Sequence, residues 1–214
     1  MNKINTVLFD FDGTIMDTYD VIICSWQHTF RAIYGRERPV DEILSTMGEP
    51  LAFTMARMFP DVDVDEAISI YRSYHRDNFG ARIKLFPGMK DLLSSLKERG
   101  YRLGLVTSRL TTTTLEGLEK YEIKDYFDAI ITADDTEKHK PDPEPVIMTL
   151  KKLGAGPEES IMVGDTRFDI LCARNAGVKS VLVGWAVAVS EEDRTGADAP
   201  DYIIEKAEDL LEIL

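Results

Sequence analysis

About seventy residues between Thr14 and Phe86 carry no strand pattern, although the rest of the chain alternates strand and helix. That interruption constrains the fold more than any other feature. Thr6-Val7-Leu8-Phe9 is a short apolar run ending in acidic residues and glycine, as expected of a parallel strand buried on both faces. Similar runs lie at 103–106, 129–132, 161–164 and 180–183. Helical patterns separate them at 89–99, 114–121, 144–153 and 169–176, with Gly100, Gly154 and Gly177 as C-terminal stops. Such alternation across short turns predicts an α/β domain with a parallel sheet. The interruption reads as four helices, over 17–34, 40–47, 50–59 and 65–79. A helical block inside one strand-to-strand connection is an inserted subdomain, hinged at 14–17 and 80–86. The tail over 191–200 reads as loop, and 206–214 as a short closing helix.

Charge narrows the function classes. The 214 residues carry a net charge of −13, which disfavours nonspecific nucleic-acid binding and an anionic membrane surface. An anionic substrate would be repelled at long range, so its site needs local positive charge, for which a bound metal is the obvious device. Cys24 and Cys172 form no CxxC pair, which fits a reducing compartment and structural thiols. Residues 1–6 lack a signal-peptide core, because Asp10 and Asp12 cut the apolar run that follows. The apolar stretch at 181–189 is far short of the ~20 residues a membrane span needs. The expected location is the cytoplasm.

The most informative peptide is Asp10-Phe11-Asp12-Gly13-Thr14. Carboxylates two apart at the end of a strand project from one face, and Phe11 from the other. Gly13 permits a tight turn that brings backbone amides to a ligand. Parallel sheets bind ligands outside the carboxyl ends of their strands. A solvated acidic turn is the bland alternative, and Thr14 breaks the spacing of a Ca²⁺ loop. Gly164-Asp165-Thr166-Arg167-Phe168-Asp169 ends another strand with carboxylates, although Asp169 alone could be a helix cap. Together the two acidic strand ends predict a Mg²⁺ site of hard oxygen ligands. Thr107-Ser108 places hydroxyls at a third strand end, where turn formation is the ordinary use. Lys140 opens Lys140-Pro141-Asp142-Pro143, and could balance a phosphate and a carboxylate cluster or be a surface charge.

These four motifs, in this order, resemble the haloacid dehalogenase-like (HAD) hydrolases across the whole chain, with the insert similar to that family's cap. The resemblance implies a Rossmann-like core of 1–14 and 84–214 and a helical cap over 15–83. Within the family the chain looks most like the inorganic pyrophosphatases and phosphoglycolate phosphatases. Trp26-Gln27-His28-Thr29, Gly48-Glu49-Pro50-Leu51 and the extended Lys140-Pro141-Asp142-Pro143-Glu144-Pro145-Val146 carry that likeness. Glu49 departs from it, with a carboxylate where a neutral residue is expected. The implied activity is Mg²⁺-dependent hydrolysis of a small phosphorylated substrate through an aspartyl phosphate, pyrophosphate first and phosphoglycolate second. Asp10 would be the nucleophile and Asp12 the acid and base. Asp10, the Asp12 carbonyl and Asp165 would hold the metal, with Asp169 a direct or indirect partner. Gly13, Thr107, the Ser108 amide and Lys140 would hold the phosphoryl group, and Lys140 would also orient Asp10.

Selectivity is expected in the cap and its facing loops, from Gly48, His28, Arg57, His75, Arg76 and Arg109. Each has an ordinary reading as a packed histidine or a surface charge. The other readings are a hexose-phosphate mutase of the β-phosphoglucomutase kind, a phosphoaspartate receiver and a catalytically silent binder. Receivers are near half this length and lack a cap. The small cap and full motif set fit a monomer or weak dimer.

Overall fold

Every position of β1 (Thr6–Phe9) is buried, so this strand needs neighbours on both edges and cover on both faces. The computed structural model describes residues 3–214 and supplies both; Met1 and Asn2, the start of the segment read as lacking a leader core, lie outside the described residues. β1 is followed by β2 (Met16–Asp17), β3 (Lys84–Leu85), β4 (Arg102–Val106), β5 (Ala129–Ile131), β6 (Ser160–Gly164), β7 (Lys179–Val183) and β8 (Tyr202–Ile204). Six of them form a parallel sheet in the order β5-β4-β1-β6-β7-β8. The helices are α1 (Tyr19–Tyr34), α2 (Val40–Leu44), α3 (Leu51–Met58), α4 (Val64–Arg82), α5 (Met89–Glu98), α6 (Thr111–Lys120), α7 (Glu144–Leu153), α8 (Arg167–Asn175), α9 (Glu191–Thr195) and α10 (Leu210–Ile213).

The period-2 geometry of a strand sorts the sheet's side chains into two layers. Val7, Phe9, Leu103, Leu105, Ile161 and Val163 pack on one face with Leu92, Leu93 and Leu96 of α5. Leu8, Val106 and Met162 pack on the other with Val146 and Leu150 of α7 and Ala173 of α8. Gly104 lets α7 approach: a Cβ there would lie 2.6 Å from Thr149 Cγ2 and 2.7 Å from Leu8 Cδ2.

Helices α1 to α4 form the inserted cap around their own aromatic cluster. Trp26 stacks on Phe59 at 6.2 Å, and Phe30 meets Phe59 at 4.7 Å, with Ile43, Met55, Ala67 and Tyr71 closing the cluster. The chain leaves and re-enters the core through β2 and β3, paired antiparallel as Met16↔Leu85 and Asp17↔Lys84. This pairing delays α1 to Tyr19, two residues later than the periodicity suggests. α6 starts earlier than expected, at Thr111, because the Asp134 carboxylate accepts from Thr111 N and Oγ1, both at 2.8 Å. The tail read as loop contains α9, whose Ser190 side chain accepts from Asp193 N. The edge strand β8 follows it. Among the described residues no helix is long and apolar enough to cross a membrane.

Candidate active site

Three neighbouring strands, β4, β1 and β6, end at one pole of the sheet, and the residues that follow them meet there. Asp10 follows β1, Thr107 follows β4 and Asp165 follows β6. Asp169 enters from the first turn of α8, and Lys140 from the loop before α7. A carboxylate oxygen from each of Asp10, Asp165 and Asp169 lies within 4.8 Å of the others, and all three residues are buried. Lys140, 6% exposed, donates from Nζ to Asp10 Oδ1 and Asp169 Oδ1, both at 2.6 Å, and to the Val106 carbonyl at 3.2 Å.

Asp169 is a structural anchor as well as a charge. Thr166, not Asp169, caps α8; Asp169 Oδ2 accepts from Thr166 N at 3.0 Å and Thr166 Oγ1 at 2.6 Å, which completes a reciprocal capping box. Asp165 is held more lightly. Among the described residues its carboxylate accepts one hydrogen bond, from Tyr19 Oη at 3.1 Å. Gly13 has φ +74°, and a Cβ there would overlap the Asp165 carboxylate, so the turn after Asp12 requires glycine on two counts.

Charge at this pole is unbalanced. Burial pushes the Asp10 carboxyl up, and Asp169 and Asp12 add to the rise against the opposing pull of Lys140. Burial and the charges of Asp169 and Asp10 push Asp165 up as well. Burial disfavours the Lys140 ammonium, but Asp10 and Asp169 outweigh it and hold the lysine charged. Three buried carboxylates against one ammonium form an all-oxygen donor set short of positive charge. A hard divalent cation fits both properties.

Asp12 stands apart from this triad. Its carboxylate accepts from Arg109 Nε at 2.9 Å and Nη2 at 2.7 Å, a bidentate pair. Burial would raise the Asp12 carboxyl, but the guanidinium holds it below the usual range. Arg109 is expected from sequence at the substrate, yet here all its nitrogens are engaged: Nη1 lies 2.9 Å from His75 Nε2. The plane also sits 4.4 Å over the Phe79 ring, and the side chain is 7% exposed. His75 Nδ1 lies 3.2 Å from Ser25 Oγ, whose own proton goes to the Val21 carbonyl. Nδ1 therefore donates and Nε2 accepts, which is a neutral imidazole. Burial first, then the Arg109 charge, lowers its pKa to about 3.

The remaining expected residues divide cleanly. Thr107 is buried, with Oγ1 accepting from Arg109 N at 3.2 Å, and Ser108 is exposed beside it. Gly48 of the cap packs on the core, since a Cβ there would lie 2.6 Å from Phe168 Cδ2. His28 stacks on Tyr74 at 4.4 Å within the cap, and Arg76 is largely exposed beside Asp77. Arg57 pairs with Glu49, which also accepts from Thr54 Oγ1 at 3.0 Å. The unexpected carboxylate at 49 is thus neutralised inside the cap. Sequence reasoning missed Tyr19, Phe79 and Trp185, whose Nε1 donates to the Gly13 carbonyl at 3.1 Å. Only their adjacency to the motifs could have flagged the first and last.

Residues 7–183 match the family described as haloacid dehalogenase-like hydrolase. The chain is 38% identical over 213 residues to a pyrophosphatase PpaX of Bacillus pumilus, covering 100% of this chain and 97% of that protein. It is 39% identical over 212 residues to the pyrophosphatase PpaX of Anoxybacillus flavithermus, covering 99% and 97%. A haloacid dehalogenase-like family hydrolase from Streptococcus pneumoniae superposes with a TM-score of 0.88 at 30% identity, covering 100% of this chain and 99% of that one.

Proposed function

The chain belongs to the haloacid dehalogenase-like hydrolases and is a phosphatase of that family, and we propose that it is a Mg²⁺-dependent inorganic pyrophosphatase acting through an aspartyl phosphate on Asp10. The observation that carries the substrate is the end-to-end likeness to two pyrophosphatases at 38% and 39% identity. The buried carboxylates with Lys140 support the reaction class.

Asp10, Asp165 and the Asp12 backbone carbonyl would hold Mg²⁺, with Asp169 beside them. The cation would supply charge that keeps Asp10 ionised and offsets the anionic phosphate. Asp10 attacks phosphorus as the bridging P–O bond breaks, and Asp12 gives its proton to the departing phosphate. Asp12 then takes a proton from water, whose oxygen displaces Asp10 and releases the second phosphate. Thr107 and the Ser108 amide hold the transferring group, and Lys140 orients Asp10. Arg109 keeps Asp12 in the form the second half needs. In the first half that pair must break, and the non-reacting phosphate of pyrophosphate is a natural competitor for the guanidinium. A substrate without a second anionic group offers no such exchange, which favours pyrophosphate over simple monoesters.

We take 1–14 with 84–214 as the catalytic core, and 15–83 as a cap that opens for substrate and excludes water when closed. We place the protein in the cytoplasm as a monomer or weak dimer, with neither nucleic acid nor membrane as partner. The test is phosphate release with Mg²⁺ from pyrophosphate, phosphoglycolate, glycerol phosphate and hexose phosphates. Pyrophosphate should be the best substrate, giving two phosphates per turnover, and Asp10→Asn should lose at least ~10⁴ in kcat. Best turnover of phosphoglycolate would reassign the substrate, and first-turnover return of label to a sugar product would indicate a mutase. No release from any compound by folded protein would overturn the reading.

A further inference from the structure

The three carboxylates at the catalytic pole are held unequally. Asp169 is fixed through both oxygens, by Lys140 on one side and by Thr166 on the other. Asp10 is fixed by Lys140 at 2.6 Å. Asp165 depends, among the described residues, on the hydroxyl of Tyr19 alone. The first two anchors belong to the core. Tyr19 belongs to the cap: it is the first residue of α1, two positions beyond β2, the outgoing strand of the hinge.

The ring of Tyr19 is itself wedged in place by the return strand and by the core. Phe86 directly follows β3 and meets Tyr19 edge-on at 6.3 Å and 68°. Trp185, just past β7, meets Phe86 at 5.5 Å and ties to the Gly13 carbonyl through its indole N–H. Gly13 completes the circuit, because the space where its Cβ would stand is filled by the Asp165 carboxylate and the Tyr19 hydroxyl. One continuous contact path therefore runs from both hinge strands to the one triad carboxylate that, among the described residues, takes no hydrogen bond from the core.

We propose that Tyr19 is a positioning residue for Asp165, and that the Tyr19–Phe86–Trp185 wedge couples the seating of the cap to divalent-cation binding at the Asp10, Asp165 and Asp169 cluster. The inference rests on the metal-dependent reading above. With the cap seated, Tyr19 aims Asp165 at the cluster; when the hinge strands swing, the donor leaves with α1. Outer partners that orient a ligating carboxylate affect metal affinity by about 10–100-fold. Coupling of this kind is reciprocal, so the cation also favours the seated cap by the same factor.

The test reads the cation and not turnover. Mg²⁺ is titrated into substrate-free protein by calorimetry, for the wild type, Tyr19→Phe and Phe86→Leu. Tyr19→Phe keeps the ring and its packing while removing the donor, so the protein should fold with a modestly lower Tm without Mg²⁺, and Mg²⁺ affinity should fall about ten-fold or more. Phe86→Leu leaves the hydroxyl in place and loosens the wedge, and its affinity should fall by a smaller factor. In a Trp26→Phe background Trp185 is the sole tryptophan, so its emission reports the wedge directly. That emission should change with Mg²⁺, and the change should move to about ten-fold higher Mg²⁺ in Tyr19→Phe. Unaltered Mg²⁺ affinity in Tyr19→Phe, with tight binding by the wild type, would overturn this inference and leave the proposed reaction standing. Absence of Mg²⁺ binding by the folded wild type would overturn both.

Discussion

The core brings charge to the catalytic pole, and the cap meets it with groups that carry none. Asp10, Asp165, Asp169 and Lys140 all come from strand ends or from loops packed beneath them. The cap reaches the same region with the Tyr19 hydroxyl, the neutral His75 ring, the Phe79 face and Gly48. Its charged residue nearest in sequence to Gly48, Glu49, is paired internally with Arg57. The cap groups in contact with this pole are uncharged, so the local field there comes from the sheet's side. On the proposed reading the labour divides: the core supplies the reacting groups, and the cap, through Tyr19, aims one of them.

The largest expected effect breaks the core half. Lys140→Met strands two buried carboxylates, which should cost about 3–5 kcal/mol in denaturant unfolding without Mg²⁺. Loss of a group aimed at the transferring phosphoryl should lower kcat by roughly 10²–10³. Added Mg²⁺ should recover part of the stability by binding the folded state. A cost below 1 kcal/mol would show that the core charges do not depend on this lysine.

A middle effect tests the neutrality of the cap. The folded-state pKa of His75, about 3, lies below its unfolded value near 6.5. The unfolded chain therefore binds the extra proton first as pH falls, so this group's contribution is complete above about pH 6.5 and is lost on acidification toward pH 3. Between pH 6 and 4 the wild type should lose stability more steeply than His75→Gln, by up to about 1.4 kcal/mol per pH unit. Equal slopes in urea titrations would mean that the ring is charged in the folded protein. The smallest effect belongs to the cap's internal pair. Arg57→Ala should change stability by only about 0.2–1 kcal/mol and leave the KM for pyrophosphate unchanged. A several-fold rise in KM would put Arg57 on the substrate.

Much of the candidate site was legible because its residues sit in short motifs at predictable places. Asp10, Asp12, Asp165 and Asp169 stand out by strand ends and spacing, and Lys140 by the proline-rich peptide it opens. The parallel sheet followed from five apolar runs, and the inserted helices from the absence of such runs. What escaped was written in tertiary contacts. β2 and β3 are two residues each, too short to show a period, and exist because they pair with one another. The start of α6 is set by Asp134, 23 residues onward, so the four threonines alone mark its beginning poorly. Arg109 is expected at the substrate as a cation in a loop facing the cap. Its commitment to Asp12, 97 residues away, is invisible in one dimension. Tyr19 and Trp185 belong to no charge pattern, and their roles come from the turn of the chain around Gly13.

The central place of β1 also has a consequence for how the chain is made. Its neighbours in the sheet are β4 and β6, which begin at residues 102 and 160, so the first strand to be synthesised is among the last to be fully paired. At about 5–20 residues per second, β1 waits roughly 8–30 s for β6 to emerge. During that interval the cap's own cluster, which spans residues 22–71, is complete, while Val21 and Phe79 still await the core residues they pack on. The nascent chain should therefore carry a cap with its own cluster complete beside a largely apolar strand still open on its β6 edge. Interruption of synthesis before residue 160 would leave that strand as the segment most prone to aggregate.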